Sequence, residues 1–362
     1  MSDIVGLIGL GRMGRNLAAN MLERGIAVQA WDHSDKVRTE VGERLPGLTL
    51  KGTIENLILV LPSPRCLMLV VPSGDAVEQI LITLTGLLEP GDVIIEAGNS
   101  HYRDTERRQN FLSGKGIHLL GLGVSGGLVG ARHGPSLMAG GSTVAWQRAR
   151  PILETIAACT NGRPSAGYLG KGGAGHFIKT VHNGIEYAIM QILADIFEIL
   201  SQGCGTPGEG IGKIFQTLNT GATAGFLIEA SVHAASSKDE VGTGFLVDSV
   251  DDRADQKGTG YWAVEAAFDM GVAVPTIAAA VQFRSLSAGG RLSKDTPNET
   301  QREKSHHPLS TDDVILHIAP AVACAMASSF AQGFCLIGAA KYNFGAKIDL
   351  HHVARLWQSG CI

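Results

Sequence analysis

The chain opens with a short apolar run, Ile4–Ile8, that passes straight into glycine, the pattern of a buried parallel strand. Helical spacing follows over Met13–Arg24, and Gly25 stands where a glycine closes a helix in the left-handed conformation. Ile26–Trp31 reads as a second strand. Further strand-like runs appear at Cys66–Val71, Val93–Glu96 and Ile117–Leu120, with helix-like segments between some of them. Strand alternating with helix in this way predicts an α/β Rossmann-type doubly wound parallel sheet covered on both faces.

The pattern changes after the glycine cluster Gly170–Gly175. His176–Gln202 reads as one long helix rich in Ile, Leu, Met and Ala. Beyond it strand-like runs are scarce, and Ala-rich helical stretches dominate, among them Ile277–Val281 and Ile315–Ala340, the latter expected to kink at Pro320. The expected division is therefore residues 1–172 for the sheet domain and 173–362 for an all-α helical domain. Gly289–Thr311 is strongly polar, contains Pro297 and Pro308, and is expected to be an exposed loop. No internal repeat is visible.

Composition narrows the class. A length of 362 residues suits two domains, and 44% hydrophobic with 18% charged residues suits a soluble globular chain. A formal net charge of −4 leaves no basic footprint, so nucleic acid is not an expected partner. The six cysteines contain no C-x-x-C pair. Neither a zinc site nor a disulfide framework is expected, which fits a reducing, cytoplasmic setting. No basic and apolar leader precedes Ile4. The longest apolar stretch, Leu57–Val71, is broken by Pro62, Pro64 and Arg65, so no membrane span and no membrane partner are expected.

The first candidate chemistry is Gly9-x-Gly11-x-x-Gly14, placed between a predicted strand and a predicted helix, with Asp32 ending the second strand 18 residues beyond Gly14. In such a turn the first glycine permits the tight bend, the second lets backbone approach a pyrophosphate, and the third allows close helix–strand packing. The helix N-terminus then offers N–H groups to the phosphates. Asp32 would accept from ribose hydroxyls and repel a 2′-phosphate, which favours NAD over NADP. His33, Lys36 and Arg38 are close enough to temper that preference, and a simple turn aspartate is the plainer reading.

Three further segments stand out. Gly121–Gly141 holds eight glycines in 21 positions, which suggests backbone pressed against a ligand within a packed, ordered loop. Lys179, His182, Asn183 and Glu186 lie at i, i+3, i+4 and i+7 of the long helix and share one face. With apolar Phe177, Ile178, Val181, Ile185 and Ile189 around them, a lined cleft is expected rather than a solvated face. Gln256-Lys257-Gly258-Thr259-Gly260 is a turn of the kind that wraps a phosphate, and also an ordinary surface turn.

Taken together, GVSGGxxGARxGPS at Gly123–Ser136, GAGHFIKTVHNGIEY at Gly173–Tyr187 and QKGTGYW at Gln256–Trp262 resemble the decarboxylating 6-phosphogluconate dehydrogenases. The likeness runs from GLIGLGRMGRNLAANM near the start to LWQSGCI near the end. It implies oxidative decarboxylation of 6-phosphogluconate, a phosphorylated sugar acid of the pentose phosphate pathway, to ribulose 5-phosphate and CO₂ by a homo-oligomer. It implies Lys179 as general base and acid, and Glu186 as the final acid. Asn99, Ser125, Gly126, Gly127, His182, Asn183, Tyr187, Lys257, Thr259 and Arg284 would line the substrate pocket, with Lys257 and Arg284 facing the phosphate. Gly9, Leu10, Gly11, Met13, Gly14, Asp32 and Asn99 would contact the cofactor.

The residue types suit that chemistry. Loss of hydride from a carbinol needs a base at the hydroxyl, and a buried lysine beside a cationic ring can have its pKa lowered toward ~7–8. The resulting β-keto acid loses CO₂ once its carbonyl is polarised, which a protonated lysine does, so no metal is called for. The sequence departs from the family pattern in three places. Trp31-Asp32-His33-Ser34 replaces the Asn-Arg-Ser/Thr stretch of NADP-using members and resembles the NAD-preferring branch. Leu128 replaces a common acidic residue. The chain ends at Ile362, short of the long-form tail that completes the partner's phosphate site. The rival readings are another β-hydroxyacid dehydrogenase without decarboxylation, and a dinucleotide-binding protein of little activity. A metal enzyme is more remote, because His306-His307 and His351-His352 lack the i, i+4 spacing of a zinc pair.

Overall fold

The computed structural model describes residues 4–239, 242, 244–250, 253–254, 258–288, 311–340, 343–345 and 348–361. These fall into two compact units, residues 4–180 with 337–361, and residues 181–336.

The first unit is built on a sheet. Its strands are β1 (Ile4–Ile8), β2 (Ala27–Trp31), β3 (Thr49–Leu50), β4 (Cys66–Leu69), β5 (Val93–Glu96), β6 (His118–Val124) and β7 (Leu137–Gly141). A two-stranded hairpin of β8 (Cys159–Thr160) and β9 (Arg163–Pro164) lies apart, and β10 (Ala166–Gly170) returns to the sheet. The order is β10-β7-β6-β5-β4-β1-β2-β3. Helices α1 (Arg12–Glu23), α2 (Asp35–Arg44), α3 (Ile54–Val60), α4 (Asp75–Thr85), α5 (Tyr102–Ser113), α6 (Gly127–His133) and α7 (Thr143–Ile156) connect the strands.

The near-continuous apolar strands follow from burial on both faces, because neighbouring side chains point to opposite sides. Leu7, Met68, Ile95 and Leu120 join one core cluster with Leu17 and Met21 of α1 and Ile152 and Leu153 of α7. Their neighbours Ile8, Leu67, Leu69, Ile94 and Leu119 join the other, with Leu57 of α3 and Leu81 of α4. Gly25, with φ of +79°, closes α1 as expected.

Two features differ from the sequence reading. The sheet is not wholly parallel, because β7 runs antiparallel to β6 and β10 pairs parallel with β7. The chain between β6 and β7 is short, its only helix the seven-residue α6. Second, Gly121–Gly141 is regular structure, comprising the end of β6, then α6 and β7. Several of its glycines face protein. A Cβ at Gly123 would lie 2.6 Å from the Cβ of Lys179, and one at Gly140 would strike the backbone nitrogen of Gly175. The glycines let α8 (Ala174–Glu198) begin in direct contact with the strands.

The second unit contains most of α8, with a five-residue π turn at Ile199–Gly203, and α9 (Gly208–Leu218), α10 (Phe226–Ser236), α11 (Leu246–Ser249), α12 (Thr259–Asp269) and α13 (Pro275–Ala288). The long α14 (Thr311–Ala339) carries Pro320 internally, and α15 (Leu350–Leu356) belongs to the first unit. α8 is the centre of the second unit's packing. Gly333 of α14 faces Val181 and Ile185, and Gly184 faces Ala263 and Ile277. The Gln332 side chain ties α14 to the first turn of α13, accepting from the Thr276 N–H at 3.0 Å and donating to the Thr276 hydroxyl at 2.8 Å. The sequence-based boundary at 172/173 falls just ahead of α8, whose first turns pack within the sheet unit. Of the loop expected at Gly289–Thr311, residues 289–310 lie outside the described residues, and Thr311 opens α14.

The expectation that no segment is long and apolar enough to span a bilayer needs correcting. Asp313–Ala339 meets that test by length and composition, with a mean hydropathy of 1.8. Its apolarity comes from many Ala interspersed with Val, Ile, Leu, Met and Phe rather than from one long run of large side chains. A core helix or a helix at a protein interface has the same composition.

Candidate active site

The glycine turn has the form a dinucleotide needs. Gly9 takes φ of +101°, and its N–H donates to the Trp31 carbonyl at 2.9 Å, bending the chain out of β1. A Cβ at Gly14 would collide with the Gly9 carbonyl, whereas one at Gly11 would meet nothing within 4 Å. Packing thus fixes the first and third glycines, and the second faces open space. Gly11 caps α1 with no side-chain bond to the first-turn N–H groups. That leaves backbone donors and the positive end of the helix for an anion, so these residues fit a nicotinamide dinucleotide. Met13 is half-buried in the first turn of α1, and Leu10 is buried.

Asp32 is buried at the end of β2 and braces this turn. Its Oδ2 accepts the Leu10 N–H at 2.7 Å, and its Oδ1 accepts the Ser34 N–H at 2.9 Å. The two cations nearby each have a partner. Arg38 donates to the Asp32 carbonyl and pairs with Asp35, and Lys36 lies 3.9 Å from Glu40. His33 Nδ1 is 3.1 Å from Asp32.

Asn99 is exposed on the loop after β5, and its neighbour Ser100 is buried. Behind that loop is a charged cluster that the sequence reading missed. Arg108 and Glu96, each 1% exposed, pair at 2.6 Å. Arg108 also donates to the Ser100 hydroxyl at 2.9 Å and to Glu78 at 2.9 Å. His176, in the first turn of α8, sits against the same cluster with Nδ1 2.7 Å from the Thr105 hydroxyl. Burial holds its imidazole below the ordinary value of 6.5, with Arg108 adding to that and Glu96 opposing it.

Ser125, Gly126 and Gly127 form the turn into α6, with both glycines at positive φ, +99° and +59°. The returning C-terminal segment braces this turn. Ser125 N–H donates to the Ser136 carbonyl at 2.9 Å, and Ser136 N–H donates to the Gly360 carbonyl at 2.8 Å. The Ser136 hydroxyl donates to the Leu356 carbonyl at 2.8 Å, and the Cys361 thiol donates to the Ser125 hydroxyl at 3.3 Å. Lys179 is 6% exposed, one turn along α8 from His176 and packed on Gly123.

Further along α8, His182 and Asn183 are 5% and 7% exposed, and Glu186 keeps 16% of its side chain accessible. A stripe so buried is not a solvated face. His182 Nδ1 is 3.2 Å from the Asn183 Oδ1 and 3.8 Å from a Glu186 oxygen. A second group gathers at Tyr187. The Arg284 guanidinium lies 3.7 Å from its ring centroid, and a Cβ at Gly260 would lie 2.6 Å from the ring. Thr259, buried, begins α12 after Gly258 at φ of +90°. Lys257 and the His306-His307 pair lie outside the described residues. Within the second unit, then, Tyr187, Arg284 and the Thr259–Gly260 turn come together, beside the His182–Asn183–Glu186 group on the same helix.

Residues 4–163 match the family described as the NAD binding domain of 6-phosphogluconate dehydrogenase, and residues 175–362 match its C-terminal domain. A decarboxylating 6-phosphogluconate dehydrogenase of Synechocystis is 39% identical over 99% of this chain and 76% of its own. Two such enzymes of Bacillus subtilis, one named NAD(+)-dependent and the other NADP(+)-dependent, are 37% and 36% identical over 100% and 99% of this chain and 78% and 77% of their own. The solved Plasmodium falciparum 6-phosphogluconate dehydrogenase superposes with a TM-score of 0.93 at 32% identity, over 99% of this chain and 78% of its own. With matches to both domains and throughout its length, the chain belongs to the 6-phosphogluconate dehydrogenase family.

Proposed function

We propose that this chain oxidises and decarboxylates 6-phosphogluconate to ribulose 5-phosphate and CO₂, with NAD as its preferred acceptor. The observation that carries the reading is α8. It presents Lys179, His182, Asn183 and Glu186 along one face, each at most 16% exposed, in a chain whose other half bears a dinucleotide turn.

The Gly9–Gly14 turn and the α1 N-terminus would hold the dinucleotide, with Asn99 a further contact that the family implies. When bound, the nicotinamide accepts the hydride from carbon 3 of the substrate. Lys179 takes the proton of the carbon-3 hydroxyl as that hydride leaves. The same ammonium then gives that proton to the new carbonyl oxygen as the oxygen draws in the electron pair released by cleavage of the carbon–carbon bond to the carboxylate. CO₂ departs and an enediol remains. Glu186, two helical turns beyond Lys179, gives a proton to the former carbon 2, which becomes carbon 1 of the product, and Lys179 accepts the hydroxyl proton as the ketone forms. Ser125, Gly126, Gly127, His182 and Asn183 would orient the sugar acid. Lys257, Thr259, Arg284 and Tyr187 would hold its phosphate.

The preference for NAD is supported by the Asp32 carboxylate, which repels a 2′-phosphate. The reading extends to a homo-oligomer, which the exposed apolar Tyr261, Phe268, Leu286 and Leu316 of the second unit favour, and to a cytoplasmic setting. Steady-state kinetics with 6-phosphogluconate and each cofactor in parallel test it. Turnover with kcat/KM higher for NAD is expected; turnover favouring NADP removes the cofactor assignment, and no turnover with either removes the activity.

A further inference from the structure

Two turns of the first unit that face ligands in this reading each open a helix. Gly9–Gly14 opens α1, and Ser125–Gly127 opens α6. The two helices are fastened to each other at their far ends. Asn20 is 1% exposed, on the same buried face of α1 as Leu17 and Met21. It donates one amide hydrogen to the Ala131 carbonyl of α6 at 3.1 Å and the other to the Ile156 carbonyl of α7 at 3.0 Å. Its Oδ1 accepts from Arg24 Nε at 2.6 Å, and Arg24 donates on to the Thr155 and His133 carbonyls, each at 2.9 Å. Glu23 and Arg132 pair across the same junction.

These acceptors are last-turn carbonyls, which a helix leaves without internal partners. Both hydrogens and the oxygen of the Asn20 amide are engaged, as burial of a polar group demands. α6 is seven residues long and contains Gly127 and Gly130, so it has little intrinsic tendency to hold its place. Its position is set by what grips it. Leucine would fill the same space without a polar group to satisfy, yet it could not fix the register of α6 against α1.

We infer that Asn20 is a positioning residue for the substrate loop. It touches neither ligand, but it holds α6, and with it Ser125, Gly126 and Gly127, in register with the dinucleotide turn. The inference rests on the reading of Ser125–Gly127 as substrate-binding.

Two variants test it, Asn20→Leu and Arg24→Met, the second removing the exposed half of the clasp without entering the core. For each, KM and kcat with 6-phosphogluconate, the Kd for NAD without substrate, and Tm are measured. Asn20→Leu is expected to raise KM for 6-phosphogluconate about tenfold and Arg24→Met about threefold, the loss of one or two hydrogen bonds' worth of placement. The Kd for NAD stays within about twofold, since α1 keeps its own packing on the sheet. If Asn20→Leu does not fold, Arg24→Met decides alone. Folded variants with wild-type KM and only a lowered Tm overturn the inference, because a merely structural residue behaves that way. Absence of turnover in the wild type sinks the functional reading and this inference with it. Wild-type turnover with unchanged KM in the variants sinks the inference alone.

Discussion

The buried pair of Arg108 and Glu96 gives the sharpest expectation for stability. Both side chains are almost wholly removed from water, they meet at 2.6 Å, and the guanidinium also serves Ser100 and Glu78. Arg108→Met keeps an unbranched apolar stem but leaves the Glu96 carboxylate buried without its counter-charge. Breaking one side of such a pair costs about 3–5 kcal/mol, because the remaining ion keeps its desolvation penalty and loses its compensation. Against a typical total of about 5–15 kcal/mol, that is a large fraction. Urea unfolding followed by circular dichroism measures it as a fall in midpoint at constant slope. The double variant Glu96→Leu with Arg108→Met removes both charges and is expected to recover most of the loss, so the two changes are strongly non-additive. A single variant within about 1 kcal/mol of wild type, or a double variant whose loss is the sum of the singles, would refute the reasoning.

Three other outcomes follow from the site. Lys179→Met is expected to lower kcat about 10²–10⁴-fold while the circular dichroism spectrum stays native, the usual contribution of a positioned base; a kcat near wild type would remove Lys179 from the chemistry. Asp32→Ser should narrow or reverse the ratio of kcat/KM for NAD over NADP, and it should also lower Tm, because the Leu10 N–H loses its charged acceptor; an unchanged ratio would leave Asp32 with only its bracing role. His176 is held neutral in the folded state by burial, whereas its unfolded counterpart gains a proton near 6.5. The unfolded chain therefore binds more protons as pH falls below that value, and stability is lost in the same direction. Wild type should lose more Tm than His176→Asn between about pH 7.5 and pH 5.5, a comparison that equal losses would contradict.

The dinucleotide half was readable because its strands are short, mostly apolar and separated by helical spacing, and because glycines at 9 and 14 answer separate steric demands while Gly11 leaves the helix end open. The stripe on α8 was readable because four polar residues recur at helical spacing within an apolar segment. The direction of β7 was not. Its sequence, Leu137–Gly141, is small and glycine-rich, and so short a run carries neither the bulky apolar signature of a parallel strand nor a clear alternation. The Arg108 cluster was hidden for a different reason. Tyr102–Ser113 carries so many charges that it reads as a solvated helix, and only the fold shows that Arg108 turns inward while Arg107 stays outside. Asn20 did leave a trace, a polar residue on the apolar face of α1, but the carbonyls it serves lie more than a hundred residues away.

Decarboxylation distinguishes this account from simple hydride transfer, so it is the step to measure. With 6-phosphogluconate labelled at carbon 1 and NAD in excess, labelled CO₂ and reduced cofactor are followed in the same reaction. The account predicts one CO₂ released for each NADH formed, with ribulose 5-phosphate as the sugar product. NADH formed without CO₂, leaving a keto acid that keeps its label, would contradict it.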